Sequence, residues 1–177
     1  MKNALKIIFL AFITLLSFER SGLAQDTVQL PKRAAKPMPL FYLDTKEIKG
    51  SFLSYAKADD IGLVQVLPLD KAIELHGDKA KNGITYVFTT KYCVEQYKKG
   101  FSDRSSEYKK VLKDEHGSDE RIQYIIDGKV LKGKFEGNLY MLRNNPRYFL
   151  KIIGPEGLEL YGVTDKAFGF VITKRVS

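Results

Sequence analysis

The residues with the most reactive side chains in this chain are two histidines, His76 and His116, and a single cysteine, Cys93. Nucleophilic catalysis needs a nucleophile, a base and a group that orients the base, and no sequence motif brings such partners to either histidine. The adjacent carboxylates Asp59 and Asp60 tend to point apart, which favours turn capping over acid–base work. We therefore predict no catalytic residue and no cofactor.

Acidic side chains surround His116 in segment 114–120, and carboxylates are the ligands that a hard cation prefers. The spacing matches no EF-hand loop, and the same composition is typical of a solvated linker. We predict a linker and no metal site. His76 fits packing or capping at a helix end, and the lone Cys93 cannot form an intramolecular disulfide. The sequence leaves the roles of His76 and Cys93 open.

The stretch HGDKAKNG, residues 76–83, contains glycines and lysines and raises the question of a phosphate-binding loop. A nucleotide P-loop joins a strand to a following helix, so that helix N–H groups face the phosphate. Here the order is helix, glycine, turn and strand. Gly77 is predicted to end a helix at positive φ, and Asn82-Gly83 to form the turn into the next strand.

Hydrophobic periodicity predicts the elements that position these residues. Strands are predicted over 40–43, 63–66, 84–90, 122–127, 148–153 and 168–174. Helical patterns cover 69–75, 92–115 and 157–161, the last closed by Gly162. The 92–115 pattern predicts two helices divided near Gly100, with Asp103 as the N-cap of the second. Its buried stripe is predicted to consist of Val94, Tyr97, Phe101, Tyr108 and Leu112.

Three blocks of sequence recur in the same order. FYLDTKEIKGSF near Asp44 matches YIIDGKVLKGKF near Asp127-Gly128, VQVLPLDKAIELHG matches LKIIGPEGLELYG, and FTTK matches VITK. The third match aligns Lys91 with Lys174, and the second aligns Gly77 with Gly162. Ordered matches at nearly one separation indicate an internal duplication. The predicted fold is α+β, with two β-β-α-β repeats joined by a helical segment.

The blocks PLFYLD, IGLVQVL, AIELHG and AKNGITYVFTTK of the first half resemble the plug domains of TonB-dependent outer-membrane receptors of the Bacteroidetes type. His76 and Thr45 depart from that pattern, which usually has tyrosine and glycine there. A receptor also needs a barrel of roughly 22 strands of about ten residues, far more than this chain supplies. The resemblance therefore implies plug-like modules without a transporter, with Asp44, Gly77, Asn82, Gly83, Asp127, Gly128 and Gly162 as structural motif residues.

The N-terminus resembles a secretory signal peptide. Lys2 and Lys6 precede the apolar run 7–18, and small residues precede a cleavage site at Ala24-Gln25. A helix of that run would extend only about 18 Å, against a hydrocarbon core of about 30 Å. The predicted organisation is a signal peptide (1–24), an extended lead-in (25–39), a first repeat (40–91), a helical connector (92–121) and a second repeat (122–177).

The net charge of +8 comes from lysines interleaved with acids, with no nucleic-acid-binding signature. We expect a periplasmic or otherwise exported protein with no transmembrane span in the mature chain and no nucleic-acid target. The expected function is non-enzymatic interaction or ligand binding in the cell envelope, with an outer-membrane receptor or envelope sensor as partner. Two alternatives are a periplasmic hydrolase with an unfamiliar site and a structural or assembly protein of the envelope.

Overall fold

The structure, a computed structural model, describes residues 38–49 and 57–175. The predicted leader, its cleavage site and most of the lead-in lie outside these residues. The described chain forms two four-stranded mixed sheets and five α-helices. The predicted α+β class with a two-repeat layout is confirmed, and the repeats form two separate sheets rather than one.

The first sheet contains β1 (Leu40–Leu43), β2 (Lys46–Ile48), β3 (Ile61–Leu67) and β4 (Ile84–Thr89), in the order β2-β1-β4-β3. Helix α1 (Leu69–His76) connects β3 to β4. β1 pairs antiparallel with β2 and parallel with β4, and β4 pairs antiparallel with β3. The short strand β2, which the sequence pattern did not predict, adds a fourth strand to the predicted unit.

Two helices join the repeats, α2 (Thr90–Arg104) and α3 (Ser106–Asp114). The predicted division is present, but its position was wrong. Ser105 caps α3 by accepting from the Tyr108 N–H at 3.1 Å, whereas Asp103 lies inside α2 and pairs with Lys99. Ser105 can cap α3 because its backbone is extended, as an N-cap requires. Asp103 cannot do so, because it lies inside the helix.

The second sheet repeats the first. Its strands are β5 (Ile122–Ile126), β6 (Lys129–Val130), β7 (Tyr148–Ile153) and β8 (Phe168–Lys174), in the order β6-β5-β8-β7. Helix α4 (Glu136–Leu142) lies between β6 and β7, and α5 (Pro155–Glu159) lies between β7 and β8. The pairing directions are the same as in the first sheet.

Hydrogen bonds fix the alignment of the two repeats. The Asp44 N–H donates to the Val87 carbonyl at 2.8 Å, and the Asp127 N–H donates to the Ile172 carbonyl at 2.9 Å. Val87 therefore corresponds to Ile172, and Lys174 corresponds to Thr89. The match of Lys91 with Lys174 was wrong by two residues, because Lys91 belongs to α2. Val64 pairs with Val87 and Leu150 pairs with Ile172, so the sequence match of Val64 with Leu150 agrees with the structure.

The largest core lies between the α2–α3 pair and one face of the second sheet. The predicted stripe is buried there: Tyr97, Phe101, Tyr108 and Leu112 belong to this core, and Val94 packs against it. The sheet contributes Tyr124, Phe170 and Ile172, with Leu150 and Ile152 partly buried at its β7 side. The shorter α5 packs on the opposite face through Leu158.

Helix α4 was not predicted, and it connects the two repeats. Leu139 enters the core of the second sheet, while the next residue, Tyr140, packs with Phe88 of the first repeat and Cys93 of α2. Gly137 lies so close to the Gly62 carbonyl oxygen that a Cβ atom could not be accommodated. The two repeats therefore share side-chain cores rather than meeting only through a linker.

Candidate functional site

The motif aspartates occupy equivalent hairpin turns. Asp44 (φ 56°) accepts from the Thr89 N–H at 2.8 Å, and Asp127 (φ 46°) accepts from the Lys174 N–H at 2.7 Å. Asp127 is followed by Gly128 at φ 80°, the two-residue positive-φ turn that aspartate-glycine favours. These carboxylates tie each hairpin to the end of the neighbouring parallel strand, which is a structural role.

The other motif residues end helices or turns. Gly77 follows α1 at φ 63°, and Gly162 occupies the equivalent place after α5 at φ 69°. Gly83 adopts φ 89° after Asn82 and enters β4. The phosphate-loop geometry is thus absent from this stretch, as the order of elements indicated. The structure does not gather the motif residues into a common pocket.

Neither histidine is placed for nucleophilic catalysis within the described residues. His76 Nε2 lies 3.0 Å from the Tyr86 hydroxyl and Nδ1 lies 3.3 Å from the Tyr42 hydroxyl. His116 adopts φ 54° in the turn after α3. Across residues 38–49 and 57–175, no group of three His, Cys, Asp or Glu side chains converges as a metal site requires.

Cys93 is fully buried between the repeats. Burial, with smaller contributions from Asp44 and Glu136, raises the pKa of its thiol to about 11. Because the thiolate is the reactive form, this environment makes Cys93 a poor nucleophile at neutral pH. The thiol therefore contributes packing to the junction.

A partly buried hydrogen-bond network centred on Asp119 was missed from the sequence. The Tyr97 hydroxyl donates to Asp119 Oδ2 at 2.6 Å, and the Tyr124 hydroxyl donates to the same oxygen at 2.8 Å. Lys98 Nζ lies 2.7 Å from Oδ1. Tyr108 lies 2.7 Å from the Tyr124 hydroxyl, and since Tyr124 donates to Asp119, it accepts from Tyr108.

The network keeps the carboxylate ionised. Burial alone would raise the pKa of Asp119, but the bonds from Lys98, Tyr97 and Tyr124 outweigh it and lower the pKa. Burial likewise raises the pKa values of Tyr97, Tyr108 and Tyr124, so all three remain donors at neutral pH. One sequence signal pointed here, since buried tyrosines on a helical stripe need polar partners for their hydroxyls.

A pocket of about 480 Å³ opens beside this network. Its walls combine the apolar side chains Leu131 and Phe135 with polar groups, among them Gln123, Lys132 and Glu136. Asp119 faces the pocket with both oxygens already bonded, so the carboxylate is a fixed element of the wall. A concave mixed wall of this size is typical of a small-ligand site.

A second feature is an exposed apolar surface on the first sheet. Val64 and Val66 lie on the face of β3 opposite to Leu67, which packs with Ala72 of α1, and they are 53% and 70% exposed. On the same face, Val87 of the adjacent strand is 2% exposed. We call the β3 side of this face, defined by Val64 and Val66, the open face. The hydrophobic clusters of the described residues contain neither valine.

The equivalent surface of the second repeat is covered. Val64 and Val66 correspond to Leu150 and Ile152, which pack against the core formed with α2 and α3. The helix that lies over β7 is α3, through a core that includes Tyr108, Val111 and Leu112. The two repeats thus share strand order and register but differ in the cover of this face.

No protein-family model matches the chain, and neither a curated protein nor a solved structure does. Within the described residues, no helix has the length and apolar character needed to cross a membrane.

Proposed function

We propose that this chain is an exported, non-enzymatic protein of the cell envelope that acts by binding another protein. The observation that carries the proposal is the open face. Contiguous exposed apolar surface often marks an interaction site, and the two neighbouring valines of β3 expose such surface here. The predicted leader supports export to the periplasm, and the plug-like sequence blocks support a partner in the outer membrane.

The proposed partner class is an outer-membrane receptor or an envelope sensor. In this proposal the Asp119 network and the shared core provide a rigid support, and the first repeat provides the binding surface. The raised pKa of Cys93 makes it a poor nucleophile. His76 lies within hydrogen-bond distance of two tyrosine hydroxyls, and His116 lies in a turn. These three side chains therefore give weak support to hydrolase chemistry. The interaction function therefore has more support than the hydrolase alternative.

The test is site-specific photo-crosslinking in the native envelope. A photoreactive phenylalanine replaces Val66, and the matched control replaces Leu160, which is 87% exposed on the second repeat. We expect the Val66 position to yield a discrete crosslinked product containing an envelope protein, and the Leu160 position to yield none. Equal products from both positions, or none from Val66, would contradict the proposal.

A second candidate function, binding of a small ligand, is favoured by the pocket beside Asp119. It can be tested by measuring the melting temperature with a panel of amino acids, monosaccharides and nucleotides. A ligand-induced rise in melting temperature that is lost in Lys132→Ala would support this function, since Lys132 lines the pocket. A flat response across the panel would count against it.

A further inference from the structure

We infer that the open face binds an amphipathic helix of the partner protein. This inference rests on the proposed function and adds the kind of partner element. It starts from the internal duplication. The same strand order and register occur in both repeats, and in the second repeat the equivalent surface is occupied by a helix of this chain. The second repeat is therefore a template for the occupant of the first.

The template specifies the chemistry of the occupant. Helix α3 presents Tyr108, Val111 and Leu112 to the second sheet, spaced at i, i+3 and i+4, while its opposite side carries lysines and acids. This spacing forms one apolar stripe along a helix. A helix that covers Val64 and Val66 needs the same stripe, with an aromatic or large aliphatic residue at each position.

An added β-strand is the competing occupant, because β3 is also an edge strand. The Val87 carbonyl accepts from the N–H of Asp44, which directly follows β1, so Val87 faces β1 and its antiparallel partner Val64 directs its own N–H and C=O away from the sheet. A strand would bond to these groups and leave the two valine side chains in water. A helix on the face buries the side chains, which is the larger gain for an apolar surface.

The experiment uses a fluorescent synthetic peptide of residues 105–117, the α3 segment with its caps, as the probe helix. Binding to the purified protein is measured by fluorescence anisotropy, and peptide helicity by circular dichroism. We expect saturable binding accompanied by a gain of helicity. The double variant V64D/V66D should weaken binding at least tenfold, and the control L160D should leave it unchanged.

A second variant protects the test against misfolding. V64T/V66T keeps the β-branched shape that strands favour and replaces a methyl group with a hydroxyl group at each position. We expect it to retain the wild-type melting temperature and to weaken peptide binding severalfold. Peptide binding that neither double variant changes would overturn the inference, and so would an absence of saturable binding to the wild-type protein.

Hydrogen exchange separates helix from strand. If a helix occupies the open face, the outward N–H groups of Val64 and Val66 keep exchanging rapidly in the complex. Protection of these two amides on peptide binding would mean strand addition and would overturn the inference. A dimer of the protein alone that V64D/V66D abolishes would also overturn it, since a second copy would then be the occupant.

The outcomes distinguish this inference from the proposed function. Crosslinking through position 66 without peptide binding would leave an interaction protein whose partner element is not a helix. Peptide binding without envelope crosslinks would leave a helix-binding surface and contradict the envelope function.

Discussion

Gly137 allows α4 and β3 to come into close contact at the junction between the repeats. A Cβ atom at this position would collide with the backbone of Gly62, which cannot move as a flexible side chain can. We expect Gly137→Ala to destabilise the protein by about 1–3 kcal/mol, the usual cost of overpacking. Urea unfolding monitored by circular dichroism measures the change.

The matched control is Gly154→Ala. Gly154 has φ −85° and no atom within 4 Å of a Cβ added there. Its substitution should change the free energy of unfolding by no more than about 0.5 kcal/mol. Equal effects of the two substitutions would remove the close approach of α4 and β3 from the description of the junction.

Asp119 makes stability depend on pH in a specific direction. Its pKa is lowered in the folded state, so its contribution is present above the unfolded value of about 3.9 and is lost as pH falls through the folded value. Asp119→Asn should cost about 2 kcal/mol at pH 7, the range for bonds to a charged group. The difference from wild type should shrink below pH 4.

Urea unfolding between pH 2 and pH 7 tests this expectation, with Asp103→Asn as the control. Asp103 is exposed and pairs with Lys99, so its replacement should leave the pH profile of the wild type unchanged. Parallel profiles for wild type and Asp119→Asn would show that the carboxylate charge does not contribute.

The start of α3 offers a test at the level of an element. Ser105 accepts from the Tyr108 N–H, whereas Asp103 caps nothing. Ser105→Ala should lower the free energy of unfolding by about 1 kcal/mol, and Asp103→Ala should change it by less than about 0.5 kcal/mol. The two values come from the same urea titration. A larger effect at Asp103 would support the N-cap expected from the sequence.

The secondary-structure elements show how much of the fold could be predicted from the sequence. The longer strands and α1 follow from local alternation and glycine stops, so 40–43, 148–153 and 69–75 were predicted within a residue or two of their observed ends. Helix α4 has a weak local pattern, and its Gly137 is explained only by Gly62 of the other repeat. The Asp119 network joins α2, a linker and β5, and such long-range contacts leave little trace in local periodicity.

At the scale of the whole molecule, the shared junction predicts cooperative unfolding. Leu139 and Tyr140 of one helix belong to the cores of different repeats, so neither repeat can lose its core without exposing part of the other. We expect the most protected amides of β4 and β8 to report the same free energy of unfolding in native-state hydrogen exchange. A lower value for β4 would show that the first repeat opens separately.

The two repeats differ in what they contribute to the molecule. Both repeats have the same strand order and a hairpin aspartate in the same position. The second repeat has the large aromatic core, whereas the first repeat has the open face. Because the largest core of the described residues lies on the second sheet, the first repeat can expose valines without loss of the fold. This difference could not be read from the matched blocks, since Val64 and Leu150 are both apolar.

The buried thiol of Cys93 gives the molecule an internal reporter. Its sulfur lies under Gly62 at the start of β3 and packs with Tyr140 of α4, so a thiol reagent reaches it only while those elements are apart. When reclosing is faster than labelling, the modification rate equals the rate for a free thiol multiplied by the fraction of molecules that are open. A time course with a chromogenic disulfide therefore measures the fraction of molecules in which the two repeats are apart, without any engineered label.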